Sequence, residues 1–444
     1  MKPITLSYYL ILTLGIASAT LDQGWLRAAE PAAAGTIEQK PDDPFFAKFS
    51  PRKAPAPAGL VLKAGDRLAI CGDSITEQKK YSRIMETYLT ACAPELKVTV
   101  RQYGWGGETA PGFLGRMTND CLRFHPTVAT TCYGMNDHRY RAYEPAIGEQ
   151  YRESSTAIVR AFKQAGVRVI QGSPGCVGLK VPWAKGGSEE MNLNLCELRN
   201  IGIEIAAGEQ VGFADVFWPM FTGGYAASQK YGQDYGIAGK DGVHPEWAGH
   251  LVMAYSFLKG LGLQGDIGTF TVDLQSGKAS ASQGHEVRGF ANGELSLTSH
   301  RYPFCATGEV NKDTSLRSGM SLVPFNQELN RLMLVVKNPP AQSYKVTWGA
   351  TSKTYTADEL GKGVNLAEDF AVNPFSEAFD KIDKAVEAKQ NYETRQIKTL
   401  FHGEEGRVDM DATVTLTEKV RTPLAAAIAA AVVPVDHSIR IEAQ

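Results

Sequence analysis

Four short stretches hold residues whose types and spacing suit one kind of chemistry. In "AICGDSITEQ" an apolar run gives way to polar residues at Gly72-Asp73-Ser74. A serine there stands at a loop or helix N-terminus, where free backbone N–H groups and the helix dipole favour negative charge. In "YGWGGETA" the glycines around Gly107 let a backbone N–H approach a ligand closely. In "TCYGMNDHRY" Asn136 can present a side-chain N–H to a developing anion. In "GKDGVHPEWAGH" Asp241 and His244 lie three apart on a turn, within reach of a mutual hydrogen bond. Each stretch also has a plainer reading: a capping serine, a glycine turn, a turn asparagine, a capping aspartate beside a surface histidine. Their order and their placement on the expected elements favour a shared site.

Those elements alternate from residue 66 onward. Strand-like runs occupy 67–71, 97–103, 127–133, 167–171 and 212–215. Helical periodicity marks 81–92, 113–124, 147 to about 166, 189–208 and a last segment with Leu251, Val252, Tyr255 and Leu258. Strands alternating with amphipathic helices predict a mostly parallel sheet covered on both faces, in a doubly wound layer structure. In such a sheet, ligands gather in the crevice at the carboxyl ends of the strands. Three of the four stretches follow directly after a strand, and the fourth precedes the last helix.

Beyond about residue 268 the alternation stops. "GTFTVDLQSGKASAS", "GELSLTSHRY", "RLMLVVKN", "YKVTWG" and "KTYTA" read as strands joined by turns. A helix follows, with Asn373 as cap, Pro374 in first position and a stripe of Phe375, Phe379, Ile382 and Val386. An Ala-rich stretch at 425–431 leads to a final strand at 437–442. The expected division is a catalytic domain at 60–265 and a β-rich accessory domain with helical additions at 266–444.

The N-terminus reads as a secretory signal over 1–29. Lys2 precedes a largely apolar run at 4–16, and Ala17-Ser18-Ala19 offers a small-residue cleavage site. Residues 30–59, rich in Ala, Pro, Lys and Asp, read as a linker or a segment draped over the surface. The expectation is therefore a secreted or periplasmic protein with no stable membrane insertion after cleavage. The 444 residues carry 46 Lys and Arg against 48 Asp and Glu, a net charge of −2, which argues against nucleic acid as the main partner. Seven cysteines form no CxxC and no zinc spacing. Cys71 and Cys132 end strand-like runs, as buried free thiols do, whereas Cys176 and Cys196 flank a loop and can pair.

Taken together, Gly72-Asp73-Ser74, Gly107 before Glu108-Thr109, Gly134-Met135-Asn136-Asp137 and Asp241-Gly242-Val243-His244 resemble the four sequence blocks of the SGNH hydrolase superfamily, the GDSL esterase/lipase family. The resemblance spans about residues 66–262. It implies a flavodoxin-like three-layer α/β/α fold. It also implies roles: Ser74 as nucleophile, His244 as the base that takes its proton and returns it to the leaving group, Asp241 as orienter of the imidazole. The backbone N–H of Ser74, the backbone N–H of Gly107 and the Asn136 side chain would form the oxyanion hole. The α/β-hydrolase pattern G-x-S-x-G fails, because its fifth position is Thr76. One Asp and one His are an incomplete metal-ligand set, so no metal and no cofactor are expected.

The substrate is less legible. Trp105, Tyr133, His138 and Arg139 are the expected substrate contacts, with Tyr140, Arg141 and Trp183 nearby. Aromatics mixed with polar groups suit a sugar ring better than a long acyl chain, and no strongly apolar lid segment stands out. The expected activity is hydrolysis of small acyl esters, acetyl above all, on a carbohydrate. The alternatives are a lipase or thioesterase for longer chains, or a non-catalytic carbohydrate-binding protein on the same fold. The β-rich tail either binds carbohydrate or packs against the catalytic domain, and packing is the favoured reading.

Overall fold

The computed structural model describes residues 36–184 and 187–444. The expected signal peptide at 1–29 and residues 30–35 lie outside this range. Five parallel strands, β1 (Arg67–Gly72), β2 (Thr99–Gly104), β3 (Val128–Cys132), β4 (Arg168–Gly172) and β5 (Gly212–Ala214), form one sheet in the order β2-β1-β3-β4-β5. That is the flavodoxin-like order. Side chains alternate between the faces of a strand, so a sheet covered on both sides needs near-continuous apolar runs. β1 supplies one. Leu68 and Ile70 join a core with Ile84, Met85, Leu251 and Phe257, while Ala69 and Cys71 join another with Phe113, Met117, Ile158 and Phe162.

The first face is covered by α2 (Lys80–Ala91) and α7 (Trp247–Gly260), the second by α3 (Ala110–Asp120), α4 (Pro145–Gln164) and part of α5 (Ser188–Glu209). A one-turn helix, α1 (Ser74–Glu77), leaves β1 directly, and α6 (Phe217–Tyr231) follows β5. Helix α3 starts three residues earlier than the periodicity predicts, because Pro111 suits a first turn. Beyond Asp120 the chain tightens into a 3₁₀ turn at Leu122–Phe124. Gly72 is in register with Gly104 on one side and Cys132 on the other. Three neighbouring strands therefore end level, and the loops after them open onto one crevice.

The remaining chain builds two smaller sheets. β6 (Asp266–Asp273), β7 (Lys278–Ala281), β10 (Arg331–Lys337) and β13 (Val364–Asn365) form one in the order β13-β10-β6-β7. β8 (His285–Ala291), β9 (Glu294–Ser299), β11 (Ser343–Trp348), β12 (Thr351–Thr356) and β14 (Val435–Ala443) form the other, antiparallel, in the order β12-β11-β14-β9-β8. Strand β8 has no counterpart in the sequence expectations, since most of its residues are exposed or half-buried. The missed signal is Asn292-Gly293, both at positive φ, a two-residue hairpin turn into β9.

Short helices α8 (Leu316–Leu322), α9 (Phe325–Glu328), α10 (Ala357–Lys362) and α11 (Leu366–Asp369) connect the strands. Then come α12 (Ser376–Arg395), a π-helical turn (Gln396–Phe401), α13 (Glu404–Val408) and α14 (Met410–Ala431). The Ala-rich stretch is the end of α14. Asn373 accepts from the Phe375 N–H at 3.0 Å, so it caps the turn before α12, and the helix proper starts at Ser376 rather than Pro374.

One apolar core runs from the parallel sheet into the C-terminal strands, from Leu68 and Leu251 to Phe270, Leu334 and Trp348. The buried face of α12 continues past Val386 with polar residues. Lys389, Gln390 and Glu393 are each at most 1% exposed. Lys389 Nζ pairs with Glu86 of α2 at 2.7 Å and with Glu393 at 3.2 Å, and Glu393 pairs with Arg421 of α14 at 2.7 Å. These side chains also serve β2, the edge strand of the parallel sheet. Lys389 and Arg421 donate to the Val100 carbonyl, and Glu393 accepts from the Gln102 N–H. Groups that an edge strand normally leaves open are thus filled by side chains.

At the other end of the sheet, Phe46 and Phe49 of the N-terminal segment are buried against Phe221. All seven cysteines are described, and all are free and buried; Cys176 and Cys196 do not pair. Burial pushes both thiols up to about 12, as for side chains used as small apolar groups. Among the described residues no helix is long and apolar enough to cross a membrane.

A chain of buried polar groups crosses the C-terminal core. Trp348 Nε1–H donates to His437 Nδ1 at 3.2 Å, and His437 Nε2 meets Ser299 Oγ at 2.9 Å. Ser299 Oγ meets His285 Nδ1 at 2.8 Å, and His285 Nε2 meets the Ile267 carbonyl at 3.1 Å. Because its Nδ1 accepts from the indole N–H, His437 makes its two bonds only as a neutral imidazole with the proton on Nε2, and His285 must carry a proton on Nε2 to reach the Ile267 carbonyl. Burial, aided by the charge of His285, brings His437 down to about 4, with Asp436 opposing. Burial likewise lowers His285, with Arg301 and His300 adding to it.

The unfolded chain therefore takes up protons before the folded one does. Stability is complete above the ordinary histidine value of about 6.5 and falls as the pH drops from there toward 4, by about 3 kcal/mol for His437. Denaturant unfolding at pH 7.5, 5.5 and 4.5 should show this decline, and His437→Gln should flatten it. An equal slope in the variant would refute the assignment.

Candidate active site

Ser74 is the first residue of α1, but it does not cap it. Asp73 does, its Oδ1 accepting from the Ile75 N–H at 2.9 Å. The serine hydroxyl is left to face the crevice, where Ser74 Oγ lies 2.8 Å from His244 Nε2. His244 Nδ1 lies 2.7 Å from Asp241 Oδ2. The other carboxylate oxygen, Oδ1, accepts from the backbone N–H groups of Val243 and His244, both at 2.9 Å. Partial burial raises the Asp241 carboxyl, but the His244 N–H, the imidazole and the Val243 N–H outweigh it and hold the group below its usual range. An ionised Asp241 keeps the proton on Nδ1 and turns the free lone pair of Nε2 toward the serine.

On the opposite side stand the other two loops. Gly107 has φ +72, a conformation that costs other residues free energy and glycine almost none. Asn136, half-buried, is gripped at both ends. Its Nδ2 donates to the Glu108 carbonyl at 2.9 Å, and its Oδ1 accepts from the Tyr140 hydroxyl at 3.0 Å. One amide hydrogen is spent on Glu108, and the second remains for a ligand. Burial, with the charges of Asp73 and Asp241 adding to it, pushes Tyr140 up to about 12, so its hydroxyl stays a donor. Asp137 ties the loops together, accepting from the Ala110 and Gly134 N–H groups, both at 3.0 Å. Burial raises Asp73 to about 7 and Asp137 to about 6.

Two of the expected substrate contacts, Tyr133 and His138, require correction. Tyr133 is 1% exposed, and its hydroxyl donates to Glu108 at 2.9 Å, which also takes both a 2.6 Å Nε bond and a 2.6 Å Nη2 bond from Arg116. It braces the glycine loop from below. His138 is fully buried, donates from Nδ1 to the Met135 carbonyl, and is brought down to about 4 by burial. Arg139 is exposed and turns away to Gln150 on α4 at 2.6 Å. Arg141 pairs with Glu144 at the surface. Trp105 is half-buried and flanked by the Arg116 and Lys398 cations, with the His402 ring edge-on at 4.8 Å. Sequence pattern does not distinguish the supporting roles of Tyr133 and His138 from ligand contact.

An aromatic pair does reach the site. Trp183, 51% exposed, donates from its indole N–H to the Asp241 carbonyl at 2.9 Å and meets the Tyr140 ring at 5.1 Å, edge to face. Arg139 and Tyr140 hold consecutive positive φ values, a strained conformation for residues other than glycine that places the tyrosine under Trp183. The pair links the aspartate–histidine loop to the asparagine loop. Elsewhere a cavity of about 590 Å³ opens beside α8, α9 and α11, but neither the serine, the histidine nor the aspartate lines it.

A flavodoxin-like sheet with these loops at its carboxyl edge defines an SGNH-type ester hydrolase domain. Residues 70–252 match the GDSL-like lipase/acylhydrolase family. That part of the chain is a domain of this family, a carboxylic ester hydrolase, and the C-terminal region is additional to it. An acetylxylan esterase of Geobacillus stearothermophilus is 24% identical over 228 residues, covering 46% of this chain and 98% of that esterase. The solved structure of a gut microbial diltiazem-metabolizing enzyme has a TM-score of 0.68 at 21% identity, over 87% of this chain and 100% of that one. The fold, C-terminal region included, is therefore shared with that enzyme. A solved structure of the acetylxylan esterase covers 46% of this chain with a TM-score of 0.39 at 21% identity.

Proposed function

We propose that this protein is an exported serine esterase that removes acetyl groups from a carbohydrate. The observation that carries the catalytic part is the imidazole of His244, placed 2.8 Å from Ser74 Oγ and 2.7 Å from Asp241 Oδ2. Ser74 Oγ attacks the ester carbonyl as its proton passes to His244 Nε2. The imidazolium is stabilised by Asp241, which stays ionised. The carbonyl oxygen becomes an anion held by the Ser74 and Gly107 backbone N–H groups and the free amide hydrogen of Asn136. Collapse expels the alcohol, which takes the proton from Nε2 and leaves Ser74 acylated. Water repeats the cycle and releases the acid.

Two observations support the acetyl and carbohydrate parts of the reading. The 24% identical relative is an acetylxylan esterase. The open face of Trp183 stands beside the triad, with its polar edge already used on Asp241. A flat apolar face bordered by a hydroxyl suits a sugar ring, which is itself amphipathic. Export rests on the N-terminal charge and apolar run. A panel of chromogenic esters from acetate to long acyl chains, followed by acetylated xylooligosaccharides, tests the reading. Turnover should fall steeply with acyl length, and acetate should be released from the sugars. Preference for long chains, or no acetate release, would overturn the carbohydrate assignment.

Asn136→Ala should lower kcat by about 10² to 10³ with little change in KM, because the lost donor acts mainly on the anion formed in the transition state. Steady-state kinetics on a chromogenic acetate checks this. A loss confined to KM would mean that Asn136 binds substrate only.

A further inference from the structure

We propose that Lys398, a residue of the C-terminal region far outside the family domain, is a positioning residue for the oxyanion-binding loop. The proposal rests on the esterase reading and names a part of its machinery that residues 70–252 do not contain.

The geometry starts at α1. That helix begins with Ser74 and ends with Glu77. The end of β2 lies directly on it: a side chain on Gly104 would begin 2.1 Å from the Glu77 backbone nitrogen. The loop Trp105–Gly107 leaves from that contact, so the end of α1 and the start of the loop form one packed unit. Lys398 reaches into it from the π-helical turn. Its Nζ donates to Glu77 Oε1 at 2.6 Å and lies 5.2 Å from the centre of the Trp105 ring. The second carboxylate oxygen of Glu77 lies 2.9 Å from where a side chain on Gly106 would begin. One ammonium thus fixes the carboxylate under Gly106 and one side of Trp105.

Neighbouring groups complete the grip. Arg116 lies 5.0 Å from the Trp105 ring and holds Glu108, whose carbonyl orients Asn136. His402 meets Trp105 edge-on and bonds Asp120 through Nε2 at 2.8 Å. Lys398 and His402 lie on and just after a π-helical segment, a rare form that re-aims side chains and often marks functional places. A loop held on both sides keeps the Gly107 N–H aimed before the anion forms, which is when preorganisation lowers the barrier.

Lys398→Met removes the charge at similar length, and Lys398→Arg restores it. With a chromogenic acetate, Lys398→Met should lower kcat about tenfold with KM within about twofold. The affinity for an alkylboronic acid, which forms a tetrahedral adduct on the serine, should weaken by the same factor. Lys398→Arg should recover most of both. A Lys398→Met enzyme with unchanged kcat overturns the proposal. So does a loss that Lys398→Arg does not recover, or one in which boronate affinity is kept. A wild-type chain inert toward every ester, no different from Ser74→Ala, overturns the esterase reading and this proposal with it. An active wild type indifferent to Lys398 overturns this proposal alone.

Discussion

Ser74→Ala should abolish ester hydrolysis, a fall of about 10⁶ in kcat, and leave the fold intact. The size follows from the role: without a nucleophile, the histidine and the aspartate have no proton to move, and what is left is binding and the N–H donors. Stability should hardly change. The cap of α1 belongs to Asp73, and the serine hydroxyl's bond is to His244 at the mouth of the crevice. A partly exposed hydroxyl exchanged for hydrogen costs within about 0.5 kcal/mol, a shift of about 2 °C or less in a chain this long. The measurement is turnover of a chromogenic acetate beside a thermal melt. Activity within tenfold of wild type would remove Ser74 from the mechanism. Lost activity with a lost melt would leave its role unsupported.

Asp241→Asn should lower kcat by about 10⁴. The amide oxygen can still accept from the Val243 and His244 N–H groups, so the loop keeps its shape. The amide nitrogen then faces His244 Nδ1 where an acceptor stood. The imidazole answers by moving its proton to Nε2, and that nitrogen meets Ser74 as a donor rather than as a base. Two readouts check the mechanism. The kinetic loss should lie in kcat, and the proton NMR signal of the hydrogen on Nδ1 should vanish in the variant. A variant that keeps the signal and loses less than tenfold would show that Asp241 does not set the tautomer.

The parallel sheet and the grouping of Ser74, Asp241 and His244 at its edge were legible because the stretches concerned are written locally. β-branched and small apolar runs mark each strand, and the serine, glycine, asparagine and aspartate–histidine stretches each sit beside one. Nothing local separates Tyr133 or His138 from a ligand contact. Their burial is decided by Glu108 and Met135, through bonds that form only after the chain folds. Lys398 was further out of reach, 321 residues from its partner Glu77.

Helix α12 shows the same limit in another way. Its apolar stripe, Phe379, Ile382 and Val386, is plain in the sequence. The same face continues with Lys389, Gln390 and Glu393, whose composition is that of a solvated surface, yet all three are buried. Polar residues go inside when each finds a partner, and those partners sit on α2, β2 and α14. Periodicity reports which residues are apolar, and it cannot report which polar ones will be matched.

The side chains seated along β2 bear on how this enzyme can be divided. A protein cut after α7 would present a raw ladder of amide and carbonyl groups at one border of its parallel sheet, next to a stranded Glu86. Such a border recruits strands from other molecules. The trailing helices act as a built-in stopper against self-association, and a shortened enzyme would need replacement surface along that border to remain dispersed in solution.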